Sequence, residues 1–230
     1  MIPVSDTVRA RTFPYVNVAL ILANIAVFIY ELTLSPGEIN RFLTDWGVVP
    51  ARLIDWLEGP SGSDREELFT PLTSMFLHGG WFHLIGNMLF LWVFGDNVED
   101  ALGHLRYLFF YVITGIGAVA LQVFIDQDGL IPMVGASGAI AGVLGGYLVL
   151  YPRATVGVLI PWLWFLGIFP VPAVLLIGFW FLLQLFNGIA SIGIAVGVTS
   201  GVAYWAHIGG FLAGLILIWV VPRRRRFYPS

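Results

Sequence analysis

The sequence contains no cysteine and no lysine, and it carries little charge of either sign. The absence of cysteine excludes disulfide bonds and thiolate chemistry. Only 11% of the 230 residues are charged, whereas 58% are hydrophobic and the mean hydropathy is +0.87. A soluble domain of this length needs a much more polar surface. The composition therefore predicts a polytopic membrane protein.

Apolar runs separated by glycine, proline and charged residues predict six membrane spans. A helix needs about 20 residues to cross the hydrocarbon core of a bilayer. The segments that approach this length are 13–30, 81–98, 107–125, 136–151, 173–186 and 202–221. Because no internal repeat or second domain is visible, we expect one compact all-α unit over residues 1–230.

The connections between these spans differ in composition. Residues 31–70 mix prolines, glycines and acidic residues with tryptophans, which predicts an outer loop whose short amphipathic helices lie at the membrane interface. Residues 161–172 are aromatic and are predicted to be interfacial, and residues 187–201 are predicted to form a Gly/Ser/Thr loop.

Arginine placement predicts the orientation of the spans. Eight of the eleven arginines fall on one side of them, namely Arg9, Arg11, Arg106, Arg153 and Arg223 to Arg226. Because basic residues concentrate in cytoplasmic loops, both termini are expected in the cytoplasm. No signal-peptide cleavage pattern precedes the first span, so we expect that span to be retained. The fourth span then begins on the outer side.

Ser137 opens that fourth span within a run of small residues, 134–142. Gly135 and Gly138 allow a tight turn and close helix packing. The unpaired amides and the dipole at a helix N-terminus favour a developing negative charge, which acyl transfer produces beside its nucleophile. On its own, however, a Gly-x-Ser-Gly run is more typical of close helix packing in membranes.

His207 is the only histidine or formally charged residue within residues 154–222. Ionisable groups inside a membrane are costly, so each is a candidate functional residue. Gly210 and Gly214 share its helix face and would let that face pack against the helix that begins at Ser137. A structural histidine bonded to a backbone carbonyl is the alternative. The shared depth of the serine and the histidine favours a pair in which the imidazole takes the hydroxyl proton.

His83 and Asn87 lie one helical turn apart in the outer half of the second span. Both can donate hydrogen bonds to one point, which suits an oxyanion hole completed by the Ser137 backbone amide. A polar clasp between helices is the alternative. His78, in the loop before this helix, is predicted to lie at the interface.

The remaining polar residues of the later spans predict structural roles. No carboxylate lies at the depth of His207 in the last three spans, so a third member of a catalytic triad is not expected. Gln122 and Gln184 are predicted to join helices rather than to take part in a reaction.

Taken together, these motifs resemble the rhomboid intramembrane serine proteases. The resemblance covers nearly the whole membrane region and rests on four spaced patterns: His83-x-x-x-Asn87, residues 99–106 with Gly103, Gly135-Ala136-Ser137-Gly138, and Ala206-His207 followed by Gly210 and Gly214. It implies a bundle of six transmembrane helices around a short serine-bearing fourth helix, with a water-filled cavity that opens outward.

The resemblance also implies residue roles. Ser137 would be the nucleophile and His207 the general base, while His83, Asn87 and the Ser137 amide would stabilise the oxyanion. The implied substrates are single-pass membrane proteins cut near the outer membrane face, and a bacterial inner membrane is the expected location. Membrane lipid is the other expected partner; no metal, cofactor or nucleic acid is expected.

The sequence departs from the family pattern at two positions. Many bacterial members carry adjacent Trp and Arg residues in the first loop, and residues 31–70 contain no such pair. Many members also place an aromatic residue four positions after the serine, against the catalytic histidine, where this chain has Ala141. Either another ring, with Trp205 and Tyr204 as the candidates, holds the imidazole in its place, or the pocket is roomier at this position.

The fifth span is the predicted route of substrate access. Phe179, Trp180 and Phe181 form an aromatic group beside the predicted 187–201 loop, and they are the candidate gate residues.

Other classes of membrane protein fit the sequence less well, and one of them is a real alternative. A zinc protease would need a His-Glu-x-x-His motif, which is absent. An aspartyl protease would need two buried aspartates, but Asp96 falls near the cytoplasmic end. A transporter would be expected to repeat broken helices, and the spans do not. A catalytically inactive rhomboid-like protein that binds membrane clients is the stronger alternative, although such a protein should lack the serine or the histidine.

Overall fold

The computed structural model describes residues 2–59, 65–162, 165–192 and 202–224. Within them the chain forms nine α-helices: α1 (Tyr15–Glu31), α2 (Pro36–Trp46), α3 (Pro50–Glu58), α4 (Thr70–Thr73), α5 (Trp81–Leu102), α6 (His104–Ile125), α7 (Ser137–Leu150), α8 (Ala173–Ser191) and α9 (Tyr204–Val220). It also forms three strands, β1 (Ile2–Asp6), β2 (Thr155–Trp162) and β3 (Phe165–Pro172).

Six of these helices overlap the six segments that were predicted as spans, namely α1, α5, α6, α7, α8 and α9, and α5 continues past residue 98 to Leu102. By length and composition, α6 and α8 could each cross a membrane, and α1, α7 and α9 are shorter apolar helices. α5 is as long as α6 but carries acidic residues in its second half. α5 and α6 meet at Gly103, whose φ of 86° is a conformation that suits glycine, so one helix ends and the next begins there.

α8 extends beyond its predicted end at residue 186 and continues to Ser191. Asn187 and Gly188 do not stop it because the helix packs against the start of α9 there. A Cβ built at Gly188 would lie 3.3 Å from the Trp205 ring and 3.3 Å from Ile208. The first part of the predicted 187–201 loop is therefore helical, and residues 193–201 lie outside the described residues.

The three strands form one antiparallel sheet in the order β1-β2-β3. β2 is rich in β-branched residues, and Val156 and Val158 alternate into the core with no exposed surface. β1 is held at its end by Asp6, which accepts hydrogen bonds from Asn97 (3.0 Å) and from the Tyr147 hydroxyl. The expectation of an all-α fold is thus wrong at this end of the molecule, where most of the predicted 161–172 stretch is β-strand.

The predicted outer loop contains the expected short amphipathic helices, α2 and α3. Ser35 and Glu38 form a capping box at the start of α2, in which the Ser35 backbone N–H donates to Glu38 Oε2 over 2.9 Å. An ion pair between Arg52 and Glu67 joins two parts of the loop, and a β-bridge between Val48 and Met133 fixes the loop to the segment before α7. This bridge places the loop directly beside the segment that leads to Ser137.

α7 lies at the centre of the bundle, with every residue from 138 to 147 buried. It packs most closely on α9 and α6. The α7–α9 contact is a contact between backbones: a Cβ built at Gly210 would lie 1.9 Å from the Gly138 carbonyl oxygen, and one at Gly214 would lie 2.1 Å from the Gly142 carbonyl oxygen. Only glycine fits at these two positions of α9.

We expect Gly214→Ala to lower the stability of the protein by about 1–3 kcal/mol, because the added methyl group would collide with backbone atoms that no side-chain rotation can move. The unfolding midpoint in detergent measures this effect. Gly178→Ala in α8 is the matched control, since a Cβ there meets no atom within 4 Å. An unfolding midpoint of Gly214→Ala at or above that of Gly178→Ala would contradict the close packing of α7 on α9.

Candidate active site

Ser137 is the first residue of α7. Gly135, at φ 122°, turns the chain into the helix, and its N–H donates to the Ser74 carbonyl over 2.8 Å. Two residues earlier, Met133 pairs with Val48 of the outer loop. The serine therefore follows an anchored turn, at a helix end whose first amides have no partner within the helix.

His207 lies in the first turn of α9, and its Nε2 is 2.7 Å from the Ser137 hydroxyl oxygen. The contact between Gly138 and Gly210 brings the two helices close enough for this bond. The other ring nitrogen, Nδ1, is 2.8 Å from Oε1 of Gln184 in α8. The sequence predicted the approach of Ser137 and His207 but not this partner of Nδ1.

His83 and Asn87 lie against the turn before Ser137. A Cβ built at Gly135 would be 2.6 Å from His83 Nε2 and 3.5 Å from Asn87 Nδ2, so both side chains approach this backbone directly. They line one cavity of about 840 Å³ together with Ser137 and His207. The structure thus brings the four sequence-predicted site residues together.

His78, which was predicted to lie at the membrane interface, is buried within the protein, with 2% of its surface exposed. Its Nε2 is 3.0 Å from Asn87 Nδ2, and its backbone N–H donates to Glu31 at the end of α1. Burial, with a smaller contribution from neighbouring His83, lowers the pKa of His78 to about 4, so this imidazole is neutral at pH 7. A neutral Nε2 can accept the Asn87 amide proton and fix the orientation of that amide.

The candidate gate residues point in different directions. Phe179 is 49% exposed, whereas Phe181 stacks on Phe211 of α9 with 4.5 Å between ring centroids. The Trp180 ring lies 5.9 Å from the His207 ring. Trp180 is therefore a ring that packs near the imidazole, a role for which the sequence suggested Tyr204 or Trp205.

Gln122 fits its predicted structural role. Its Oε1 accepts a hydrogen bond from the Ala206 backbone N–H over 3.2 Å. This bond ties α6 to the start of α9, immediately before the catalytic candidate His207.

A serine at a helix N-terminus, bonded to a histidine of a neighbouring helix inside a polar cavity, is the constellation of a serine hydrolase set in an apolar helical bundle. Comparison with known proteins gives this class its family. Residues 65–224 match the Rhomboid domain, so the chain belongs to the rhomboid family. The family consists in general of intramembrane serine proteases.

Individual relatives agree with this assignment. The chain is 30% identical over 221 residues to the rhomboid protease AarA of Providencia stuartii, which covers 87% of this chain and 70% of that protein. It is 29% identical over 225 residues to RHOMBOID-like protein 1 of Arabidopsis thaliana, covering 89% and 52% respectively. A mitochondrial rhomboid protein 1 of Saccharomyces cerevisiae is 30% identical over 156 residues, covering 65% of this chain and 41% of that protein. The chain spans about half the length of several of the curated relatives it matches.

Proposed function

We propose that this protein is an intramembrane serine endopeptidase that cleaves the transmembrane segments of single-pass membrane proteins near the outer membrane face. The observation that carries the proposal is the 2.7 Å contact between Ser137 Oγ and His207 Nε2 inside the cavity. A catalytically inactive client-binding protein would not need this pair, which makes catalysis the better reading of the site.

The geometry supports acyl transfer in two steps. His207 Nε2 takes the hydroxyl proton as Ser137 Oγ attacks the substrate carbonyl, and it then gives the proton to the leaving amine. Water admitted by the cavity next attacks the acyl-enzyme, with His207 again acting as the base. His207 then returns its proton to Ser137 Oγ as the acyl–oxygen bond breaks, so the second step releases the new carboxyl end and restores the serine.

The negative charge of each tetrahedral intermediate develops beside the start of α7. The Ser137 backbone N–H and the helix dipole favour an anion at this point. His83 and Asn87 approach the same turn and can donate to the same oxygen. We assign these three groups to the oxyanion hole.

The arginine-rich end of the molecule is proposed to face the cytoplasm. The segment after α9 returns to the α5–α6 turn there: the Arg224 backbone N–H donates to the Ala101 carbonyl, and the Arg106 side chain donates to the Pro222 carbonyl. Thr12 bonds Asp100 at the same end. By the positive-inside rule the start of α7 then faces outward, and a bacterial inner membrane is the location we propose.

Ser137 is proposed to lie below the outer surface of the membrane. The 14 residues of α7 give a helix of roughly 21 Å, whereas the hydrocarbon core is about 30 Å thick. A substrate helix must unwind to present a carbonyl there, because its own hydrogen bonds and side chains shield each peptide bond.

α8 is the proposed gate. Over the most apolar stretch of α8 only 22% of the residues are buried, whereas 44% are buried over the corresponding stretch of α6. α8 packs mainly on α9. Its lateral displacement would therefore break fewer contacts than displacement of α6. A substrate that enters beside α8 would reach the cavity that contains Ser137.

We expect cleavage within the outer few residues of a substrate's transmembrane segment, favoured by nearby Gly, Pro or other weak helix formers. Purified protein in lipid vesicles can be tested on single-pass reporters whose transmembrane segments differ in the position of a Gly-Pro pair, and mass spectrometry of the products locates each cut. The Ser137→Ala protein is the control for contaminating proteases. Cuts in the cytoplasmic half of the reporter would contradict the proposed orientation and depth.

A further inference from the structure

The structure shows how His207 is held without the two groups that usually hold a catalytic histidine. No carboxylate contacts either ring nitrogen in the described part of the chain, and the position four residues after the serine is Ala141. An imidazole free to rotate about its χ2 bond would present Nε2 to Ser137 only part of the time. Some other part of the protein must fix the ring and its tautomer.

Gln184 meets the tautomer requirement. Its Oε1 lies 2.8 Å from His207 Nδ1, and an amide oxygen can only accept a hydrogen bond. The proton must therefore reside on Nδ1, which leaves the Nε2 lone pair free for the Ser137 hydroxyl 2.7 Å away. This is the part that the third residue plays in a Ser-His-Asp triad, performed here by a neutral side chain.

Trp180 meets the rotation requirement from the same helix. It precedes Gln184 by four residues, so the two side chains lie on one face of α8. The Trp180 ring lies 5.9 Å from the imidazole at an interplanar angle of 37°, and 6.3 Å from the Phe211 ring one turn further along α9. One face of α8 thus makes two contacts with the His207 ring: Gln184 contacts its Nδ1, and the Trp180 ring lies beside the imidazole ring.

We propose that Gln184 is a positioning residue for His207: its amide oxygen holds the imidazole in the Nδ1–H tautomer while Trp180 restrains the ring, so the base is ready to act only when α8 is packed on α9. This inference rests on the proposed function. It also gives α8 a second role, because displacing this helix would remove both contacts from His207.

Variants at Gln184 show whether this residue positions the His207 imidazole or only joins α8 to α9. Gln184→Leu removes the hydrogen-bond acceptor but keeps a side chain of similar size. We expect it to lower kcat by about 10- to 100-fold and to leave KM within about twofold of wild type. Loss of a charged carboxylate that orients a catalytic histidine costs more, up to about 10⁴-fold. Gln184→Glu keeps a carbonyl oxygen in either protonation state and should restore kcat to within about fivefold of wild type. Leu182→Ala, 61% exposed on the same helix, is the matched control and should leave kcat unchanged.

The tautomer itself can be measured independently of cleavage. In ¹⁵N-histidine NMR spectra of the full chain, His207 is one of four histidines and is assigned by comparison with His207→Ala. We expect a single Nδ1–H tautomer in the wild-type protein and in Gln184→Glu, and a mixture of tautomers in Gln184→Leu and in Gln184→Met, which provides a second test if the leucine variant folds poorly.

Two outcomes would overturn the inference. The first is a Gln184→Leu protein with the wild-type tautomer and the wild-type kcat. The second is an equal loss of kcat in Gln184→Leu and Gln184→Glu, in proportion to an equal lowering of their unfolding midpoints. Failure of the proposed function looks different. In that case the wild-type protein neither cleaves reporters nor reacts at Ser137, while the NMR spectra still report whether Gln184 fixes the His207 tautomer.

Discussion

Ser137→Ala should abolish cleavage, with kcat lowered by about 10⁴-fold or more, and His207→Ala should have the same effect. Ser137 Oγ and His207 Nε2 form one hydrogen-bonded unit, so removal of either atom removes the nucleophilic mechanism. The Ser137→Ala/His207→Ala double variant should be no slower than the single variants, because coupled catalytic residues are not additive. Cleavage rates with a purified reporter in vesicles measure all three.

Ser191→Ala is the matched control for the loss of a serine from the same cavity. The Ser191 hydroxyl donates to the Gly188 carbonyl of its own helix over 2.7 Å and has no part in the proposed chemistry. It should cleave at the wild-type rate. Unfolding midpoints equal to that of the wild type would show that all of these variants retain the fold. Normal cleavage by Ser137→Ala would contradict the proposal that the protein is a serine protease.

Asn87→Ala should lower kcat by about 100- to 1,000-fold, the usual cost of losing one oxyanion-hole donor, with a much smaller effect on KM. The amide is placed for this role at the turn before Ser137, and buried His78 accepts its other proton. Because the donor acts on charge that appears only in the transition state, its loss should affect turnover rather than substrate binding.

Asn87→Asp provides a second comparison at nearly constant size. It replaces the donor by an oxygen and should be at least as slow as Asn87→Ala. Asn40→Ala, on the exposed side of α2, is the control and should be neutral. An unchanged kcat in Asn87→Ala would assign this residue to helix packing alone.

The pairing of Ser137 with His207 could be predicted from sequence because polar residues inside apolar spans are few. His207 is isolated within residues 154–222, and the span boundaries place it at the depth of Ser137. Gly210 and Gly214 then identify the helix face that packs on α7. These signals are local. Span boundaries also assign each residue a depth in the membrane, which shows which residues of different helices can meet, and the sequence of a soluble protein gives no such information.

The role of α8 could not be predicted in the same way. Phe179, Trp180 and Phe181 are consecutive aromatic residues in a helix that is apolar all round, so no periodicity shows which of them faces His207. Only the packing of α8 on α9 directs Trp180 and Gln184 inward and leaves Phe179 exposed. The burial of His78, whose backbone N–H donates to Glu31 of α1, was not visible from the local sequence for the same reason.

The sheet was missed for a related reason. β1 pairs with β2 across about 150 residues of sequence, with Ile2 opposite Leu159, and strand pairing at that distance leaves no local pattern beyond the alternation of Val156 and Val158. In an apolar chain that alternation is hard to distinguish from a membrane segment. The hydrogen bonds of Asp6 to Asn97 and Tyr147 become visible only once the helices are assembled.

The central claim is that His207 activates Ser137 as a nucleophile, and reaction with a fluorophosphonate probe tests it most directly. The account predicts that the purified full-length protein is labelled once, that peptide mapping places the label on Ser137, and that His207→Ala reduces the labelling rate to background. Labelling at another serine, or an equal labelling rate in His207→Ala, would contradict it.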